Sequence, residues 1–315
     1  MKQLKRALIA LLCAALPLGC TGCAEGTLLT EDHTRRIGVV LKTMDSEHWQ
    51  EIRSGMENTA KEHGAALTLL YPSNEWAEEE QAVFIRDMLA SDIDALIVAP
   101  CNSTSTGWFA DQAAEQGLPL FTADTRAIDR DIPYIGSDNK TVGAMAADYL
   151  VEHVGPGAPC AVIAGAAVQA QTVDRVGEFR RRMEERESAP LAVRMENSGF
   201  ADAMETTETL LEQGVRGIFC ASAAMGLGAA AARQERGAED LCIIAVDTQD
   251  DALKAVQEGS LDALITQSGY EIGEKAIETV LRVLDGEKAG NAYVESRLIT
   301  ADNIADFLEE RGNQR

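Results

Sequence analysis

Two apolar runs of strand length constrain this chain more than anything else in it. LPLFTADTR at 118–126 and LCIIAVDTQ at 241–249 each stop at an Asp-Thr dipeptide, Asp124-Thr125 and Asp247-Thr248. A short continuous apolar run bounded by turn residues reads as a strand buried on both faces, the condition of a strand inside a parallel sheet. In open α/β sheets the ligand sits beyond the carboxyl ends of the strands, where these two carboxylates fall. Each Asp alone could instead cap the loop or helix that follows it. Repetition of the pattern in both halves favours a cleft that grips a small polyhydroxylated ligand from two sides.

Around these runs, strands and helices alternate from Arg36 onward. Ile37–Leu41, Leu67–Tyr71, Ala95–Ala99 and the run ending at Asp124 read as strands. Helical spacing separates them: Trp49, Ile52, Met56 and Ala60, then Ala77–Ala90, then Trp108–Gln116 closed by Gly117. This βαβαβαβ order is the signature of a doubly wound parallel sheet. A short strand at Tyr134–Ser137 leads into Asp138-Asn139 and a helix that stops at the breaker Gly155-Pro156-Gly157-Ala158-Pro159. A second alternation follows, with strands at Cys160–Ala164, Leu191–Glu196, Gly217–Cys220, Cys242–Val246, Ala263–Gln267 and Val294–Ile299. Its helices are expected at Val173–Arg186, Ala201–Gln213, Met225–Arg236, Asp251–Glu258, Ile272–Leu284 and Ile304–Glu310. No low-complexity segment divides the halves, so the expected fold is α/β, two Rossmann-like parallel-sheet lobes joined by short crossing segments.

The first 23 residues read as an export signal. Lys2, Lys5 and Arg6 form a positive n-region, and Ala7–Leu18 is an apolar stretch too short to span a membrane comfortably. Leu18-Gly19-Cys20-Thr21-Gly22-Cys23 is similar to a bacterial lipobox, with Cys23 the better fit and Cys20 the alternative lipidation site; a plain secretory signal cut nearby is the other reading. Residues 24–35 then read as a polar tether. A formal net charge of −23 makes nucleic acid or an anionic membrane surface an improbable partner for the folded part. Cys101, Cys160, Cys220 and Cys242 sit in or beside apolar runs without metal-ligand spacing, so buried thiols are expected and no metal site.

VVLKTMDSEHWQEIRSGM, LIVAPCNST, PLFTADTR, IGSDNKTVGAMAADYL, DRVGEF, CIIAVDT, LITQSGYEIGEKAIE and RLITADNI follow one another in this chain. In that order and spacing the chain resembles the type 1 periplasmic binding proteins, and among them the ribose-binding-like solute receptors of sugar ABC importers. The resemblance implies a lobe of residues 36–138 plus 268–296 and a second of 139–267 plus 297–315. It also implies three hinge crossings, near Asp138-Asn139, Gln267-Ser268 and Val294–Leu298. It assigns Asp124 and Asp247 as the cleft acids, each able to accept two sugar hydroxyls. Arg175 matches the arginine of an R-x-x-G-F segment whose glycine is here Glu178, and Gln267 a glutamine that binds ligand at a crossing. Trp49, with His48 beside it, falls where aromatics stack on a sugar ring, although an indole there also suits the core of the first helix. Ser46, Thr125, Ser222 and Phe200 complete the implied set.

Three departures stand out: Lys42 replaces a small polar residue, Ser222-Ala223 replaces an Asn-Asp pair, and Arg126 is displaced by one position. Lys42 either favours an acidic ligand or points to solvent at the cleft rim. The implied partners are a sugar-like ligand, an ABC permease and its ATPase, with the membrane reached only through the lipid anchor, no cofactor, and a monomeric chain. Presentation of the bound ligand to a sensor kinase or chemoreceptor is the alternative output. A nicotinamide enzyme is the rival from another class, because Gly226, Gly228, Ala231 and Asp247 match a G-x-G-x-x-A fingerprint with its acid. Against it, Ala221–Ala224 separates the strand from the first glycine, whereas the fingerprint needs an immediate turn. The repressor effector domains that share this fold carry an N-terminal DNA-binding motif, and here an export signal holds that place.

Overall fold

The structure, a computed structural model, describes residues 34–195 and 199–314. The export signal, both candidate lipidation sites Cys20 and Cys23, and the tether up to residue 33 lie outside the described residues. The chain begins β1 (Arg36–Val40), α1 (Glu47–Glu62), β2 (Ala66–Leu70), α2 (Glu78–Leu89), β3 (Ala95–Val98), α3 (Gly107–Glu115), β4 (Leu120–Ala123) and β5 (Tyr134–Ser137). It continues α4 (Asn139–Val154), β6 (Cys160–Ala164), α5 (Ala170–Glu185), β7 (Pro190–Met195), α6 (Phe200–Glu212), β8 (Gly217–Cys220) and α7 (Ala223–Arg236). The last elements are β9 (Cys242–Val246), α8 (Asp250–Gln257), β10 (Ala263–Ile265), α9 (Gly269–Leu284), β11 (Ala292–Val294), β12 (Leu298–Thr300) and α10 (Ile304–Gln314).

These strands form two six-stranded sheets, in the orders β11-β5-β4-β3-β1-β2 and β12-β10-β9-β8-β6-β7. The pairings are parallel except that of β12, which runs antiparallel to β10. Continuous apolar strands in the sequence are what such a sheet requires, because helices cover both of its faces. In the first sheet alternate residues serve opposite faces: Ile37, Val39 and Leu41 pack with α1 and α9, whereas Val40 packs with Ile85 of α2 and Phe109 of α3. The second sheet has its own core, in which Phe179 stacks on Phe219 with ring centroids 5.2 Å apart.

The chain passes between the sheets at three places: after β5, after β10, and between β11 and β12. The single strand expected at Val294–Ile299 is therefore two strands in different sheets. Their junction is tied to the second passage, where Thr266 N donates to Arg297 O (2.8 Å) and Arg297 N donates to Thr266 Oγ1 (2.7 Å). A second difference lies at α5, which begins at Ala170 rather than Val173; polar Gln169 and Gln171 hide its first turn from a reading based on apolar spacing.

Helix α4 is started by Asp138, whose carboxylate accepts from the N–H groups of Lys140 and Thr141. It then lies against α5 at a distance only glycine permits, since a Cβ on Gly143 would sit 2.3 Å from the carbonyl oxygen of Arg175. Replacing Gly143 with Ala would push α5 outward. We expect Gly143→Ala to lower stability by about 1–3 kcal/mol, measured by urea unfolding. Unchanged stability would mean that the contact is not tight.

Candidate functional site

Both acids stand where their strands end, Asp124 after β4 and Asp247 after β9, and both have left-handed backbone, with φ of 60° and 77°. Asp tolerates this conformation better than most residues, yet it still costs on the order of 1 kcal/mol. The same strain at equivalent strand ends in two sheets turns both carboxylates towards one space. The helices that follow the strands bring their N-termini to that space: Ser46 before α1, Gln169 before α5, Ser222 before α7 and Gln249 before α8 all line it. The dipoles of these helices favour electron-rich ligand atoms there.

The cavity measures about 280 Å³, the small end of the roughly 300–1,000 Å³ typical of ligand pockets. Trp49 and Trp76 supply apolar walls, and Asp45, Glu75, Asp124, Asp247, His48, Arg175 and Gln267 supply charge and hydrogen bonds. Asp124 is already well supplied with donors: His48 Nε2 lies 2.8 Å and Gln267 Nε2 2.9 Å from Oδ1, and Thr125 Oγ1 donates to Oδ2 at 2.9 Å. Its capacity to accept from a ligand is thus smaller than the two hydroxyls expected. Asp247 is less encumbered, its carboxylate facing the backbone N–H of Ala223. Arg175 donates to Asn139 Oδ1 (2.8 Å), to Ala221 O (2.8 Å) and to Gln267 Oε1, and still has N–H groups left for the cavity.

Burial opposes charge on Asp124, His48, Asp247 and Glu75, and partners decide the outcome. Although burial raises the Asp124 carboxyl, the hydrogen bond and positive charge of His48, with Lys42 and Thr125, hold it below its ordinary value. Burial likewise lowers His48, but Asp124 outweighs it and keeps the imidazole above its ordinary 6.5. Burial leaves Asp247 and Glu75 raised.

Of the residues expected from sequence, Ser46, His48, Trp49, Asp124, Arg175, Ser222, Asp247 and Gln267 meet at this cavity. Trp49 does so while also packing in the core of the first sheet, so the two readings of it coexist. Four do not line it. Phe200 begins α6 with 47% of its surface exposed, because the neighbouring wall is backbone at Gly199. Thr125 is buried and supports Asp124 instead. Arg126 turns away to chelate Asp174 of α5, at 2.7 and 2.9 Å, tying the two sheet units together. Lys42 is neither at a rim nor in the lining but fully buried, its Nζ 5.9 Å from the Trp49 ring centre and without a hydrogen-bond partner among the described residues; burial lowers its pKa.

Sequence reasoning missed Asp45, Glu75, Trp76, Gln169 and Gln171. Glu75 and Trp76 lie in the loop between β2 and α2, a loop at a strand's carboxyl end, which was the available signal. The glycine fingerprint dissolves in three dimensions. Gly226 lies inside α7, where a Cβ would meet Ala245 at 2.5 Å, and Gly228 abuts the carbonyl of Phe200; both glycines serve packing. Cys101, Cys160, Cys220 and Cys242 are buried free thiols. A larger cavity of about 740 Å³ lies beside α1, α9 and α10, but there Arg311 is already held by Glu47 (3.0 Å), Glu51 (2.9 Å) and Asp250 (2.8 Å).

Two parallel-sheet units, three passages between them and a polar cavity at their facing strand ends define a two-lobed α/β solute receptor. The periplasmic binding protein domain matches residues 37–288, and the chain belongs to that family; its fold is the type 1 periplasmic binding protein fold. Ribose import binding protein RbsB of Escherichia coli strain K12 is 27% identical over 267 residues, covering 84% of this chain and 90% of that protein. The D-allose-binding periplasmic protein of the same organism is 25% identical over 288 residues, 85% of this chain and 88% of its own length. The crystal structure of an ABC transporter periplasmic solute binding protein from Actinobacillus succinogenes 130z, with bound D-allose, superposes with a TM-score of 0.80. It is 24% identical and covers 87% of this chain and 100% of that one.

The His48–Asp124 pair predicts a pH dependence with a definite sign. A raised His48 contributes stability that is complete below its ordinary value near 6.5 and disappears as pH rises through the higher folded value. The depressed Asp124 contributes stability that disappears only in acid, as pH falls through its lowered value. The melting temperature of wild type minus that of His48→Gln should therefore shrink as pH rises from about 6.5 through the higher folded value. A constant difference across that range would mean that folding leaves the His48 titration unshifted, and one that grows with pH that the imidazole is held neutral in the folded protein.

Proposed function

We propose that this chain is the extracytoplasmic solute-binding component of an ABC importer and takes a monosaccharide or sugar-like polyol between its lobes. The observation that carries the reading is the 280 Å³ cavity, in which Trp49, Asp124, Asp247, Arg175 and Gln267 come together from both sheet units and a passage between them. An indole face suits the apolar C–H face of a sugar ring, while carboxylates and a guanidinium suit its hydroxyls. Residues 36–138 with 268–296, and 139–267 with 297–315, move as two lobes hinged at the three passages. Contacts complete only when the lobes meet shift the population to the closed form. That form is what a permease and its ATPase recognise, so the cycle needs no chemistry on the ligand, no cofactor and no second copy. Lipidation at Cys23, or Cys20, would hold the receptor at the outer face of the cell membrane.

A thermal-shift screen of the chain from residue 24 onward, with pentoses, hexoses, inositols, uronic acids and NAD(H), tests the reading. A neutral polyol should raise the melting temperature, a ligand at about 100 times its dissociation constant adding roughly 2.7 kcal/mol. A shift with NAD(H) alone would sink the receptor reading. Asp247→Ala should weaken polyol binding by more than about tenfold, the loss of a charge-assisted hydrogen bond costing about 1.5–3 kcal/mol, with the fold intact. Unchanged affinity would remove Asp247 from the site.

A further inference from the structure

Four hydroxyl side chains stand at the three passages between the sheets, and they fall into two kinds. At the passage after β10 they are used: Thr266 Oγ1 accepts from Arg297 N (2.7 Å), and Ser268 Oγ accepts from Glu271 N in the first turn of α9 (3.2 Å). Ser137, at the passage after β5, and Ser296, between β11 and β12, have buried Oγ atoms without a hydrogen-bond partner among the described residues. Both belong to one joint, because Ser137 is in register with Val294, two residues before Ser296. Ser137 is only 1% exposed, and its backbone is held: its carbonyl accepts from Tyr134 Oη (3.0 Å) and from Asn139 Nδ2 (3.3 Å), which leaves the hydroxyl out of that network. The same conformation joins the two sheet units across their boundary. Ser103, in the loop after β3, donates its N–H to Val168 O (3.1 Å) and accepts from Ala170 N at its Oγ (3.0 Å), while Asp250 N donates to Glu47 Oε2 (3.1 Å). In the hinge reading above, units drawn together in this way are the closed form.

We infer that Ser137 and Ser296 act as a counter-spring in the hinge, two hydroxyls that give up hydrogen bonds when the lobes close and so hold the ligand-free receptor open. A hydroxyl buried without a partner costs free energy that the same group in water does not. Hinge motion is absorbed by the few residues at the crossings, and opening there returns both hydroxyls to water. The closed form is then populated only when contacts with the ligand offset that cost. Without the spring, more of the empty receptors would be closed, and they would compete with loaded ones for whatever recognises the closed form. The inference rests on the hinge reading and is independent of which ligand the cavity takes.

The test compares wild type, Ser137→Ala, Ser296→Ala, the double variant and Ser103→Ala, each as the chain from residue 24 onward. Small-angle X-ray scattering without ligand should give wild type a larger radius of gyration than the closed arrangement, and the double variant a smaller one than wild type. In calorimetric titrations with D-ribose, D-allose and myo-inositol, each hinge variant should bind whichever polyol wild type takes about 3–10-fold more tightly, and the double variant more tightly still. Ser103→Ala removes a hydroxyl that is paired across the boundary, so it should weaken binding and leave the ligand-free chain no more compact. That opposite sign separates the spring from a general effect of replacing serine. A wild type already closed without ligand, or a double variant as expanded as wild type, would overturn the inference. If none of the three polyols binds, the polyol reading fails, and the ligand-free scattering still upholds or overturns the spring.

Discussion

The carboxylate of Asp124 is where the rest of the structure converges. Gln267 donates to it, Arg175 donates to Gln267 and to Asn139, the Asn139 amide reaches Tyr134 Oη (3.4 Å), and Tyr134 returns a hydrogen bond to the Asp124 carbonyl (2.9 Å). The ring closes on itself and takes in the passages after β5 and after β10. In the proposed hinge closure, an acid of this ring that met the ligand would also be part of the joint about which the lobes move. A small ligand would then act on a large motion, because the same donors and acceptors answer to both. It also explains why Asp124 has limited capacity for a ligand: much of it is committed to the joint, and Asp247 is left as the freer acceptor.

Much of this architecture was legible in the sequence because parallel sheets write plainly. Strands covered on both faces must be apolar throughout, and helices of such folds repeat their apolar face every turn, so β4, β9 and their neighbours could be placed before the structure was seen. The two acids were legible for the same reason, as the first polar residues after buried strands. What failed was direction. Arg126 sits beside Asp124 in the chain, yet its guanidinium finds Asp174 rather than the cavity, and nothing local announces a partner on another helix. Lys42 reads as a surface residue by its type, but the strand carries it into the interior. Gln169 and Gln171 were hidden because amides have no periodicity and no charge.

The two sheet units are also held together by ion pairs between side chains that do not line the cavity. Arg126 chelates Asp174, and Arg311 of α10 gathers Glu47 and Glu51 of α1 with Asp250 of α8. Arg311 is nearly buried, so its attractions are screened less than those of the surface pairs elsewhere on the chain. With three carboxylates around one guanidinium, this clasp is attractive yet leaves excess negative charge close by. Such a balance would suit the proposed hinge, which closes and opens again.

The left-handed backbone at Asp124 and Asp247 has a consequence for how such a receptor can change. Few residues accept that conformation: glycine freely, asparagine and aspartate at modest cost, β-branched residues hardly at all. The ends of β4 and β9 are therefore nearly closed to substitution, whatever ligand is favoured. The helix starts at Ser46, Gln169 and Gln249 carry ordinary extended backbone and accept a far wider range of side chains. New ligands would be acquired by editing the helix starts around two fixed carboxylates, with the strained corners acting as the datum from which every variant of the pocket is measured.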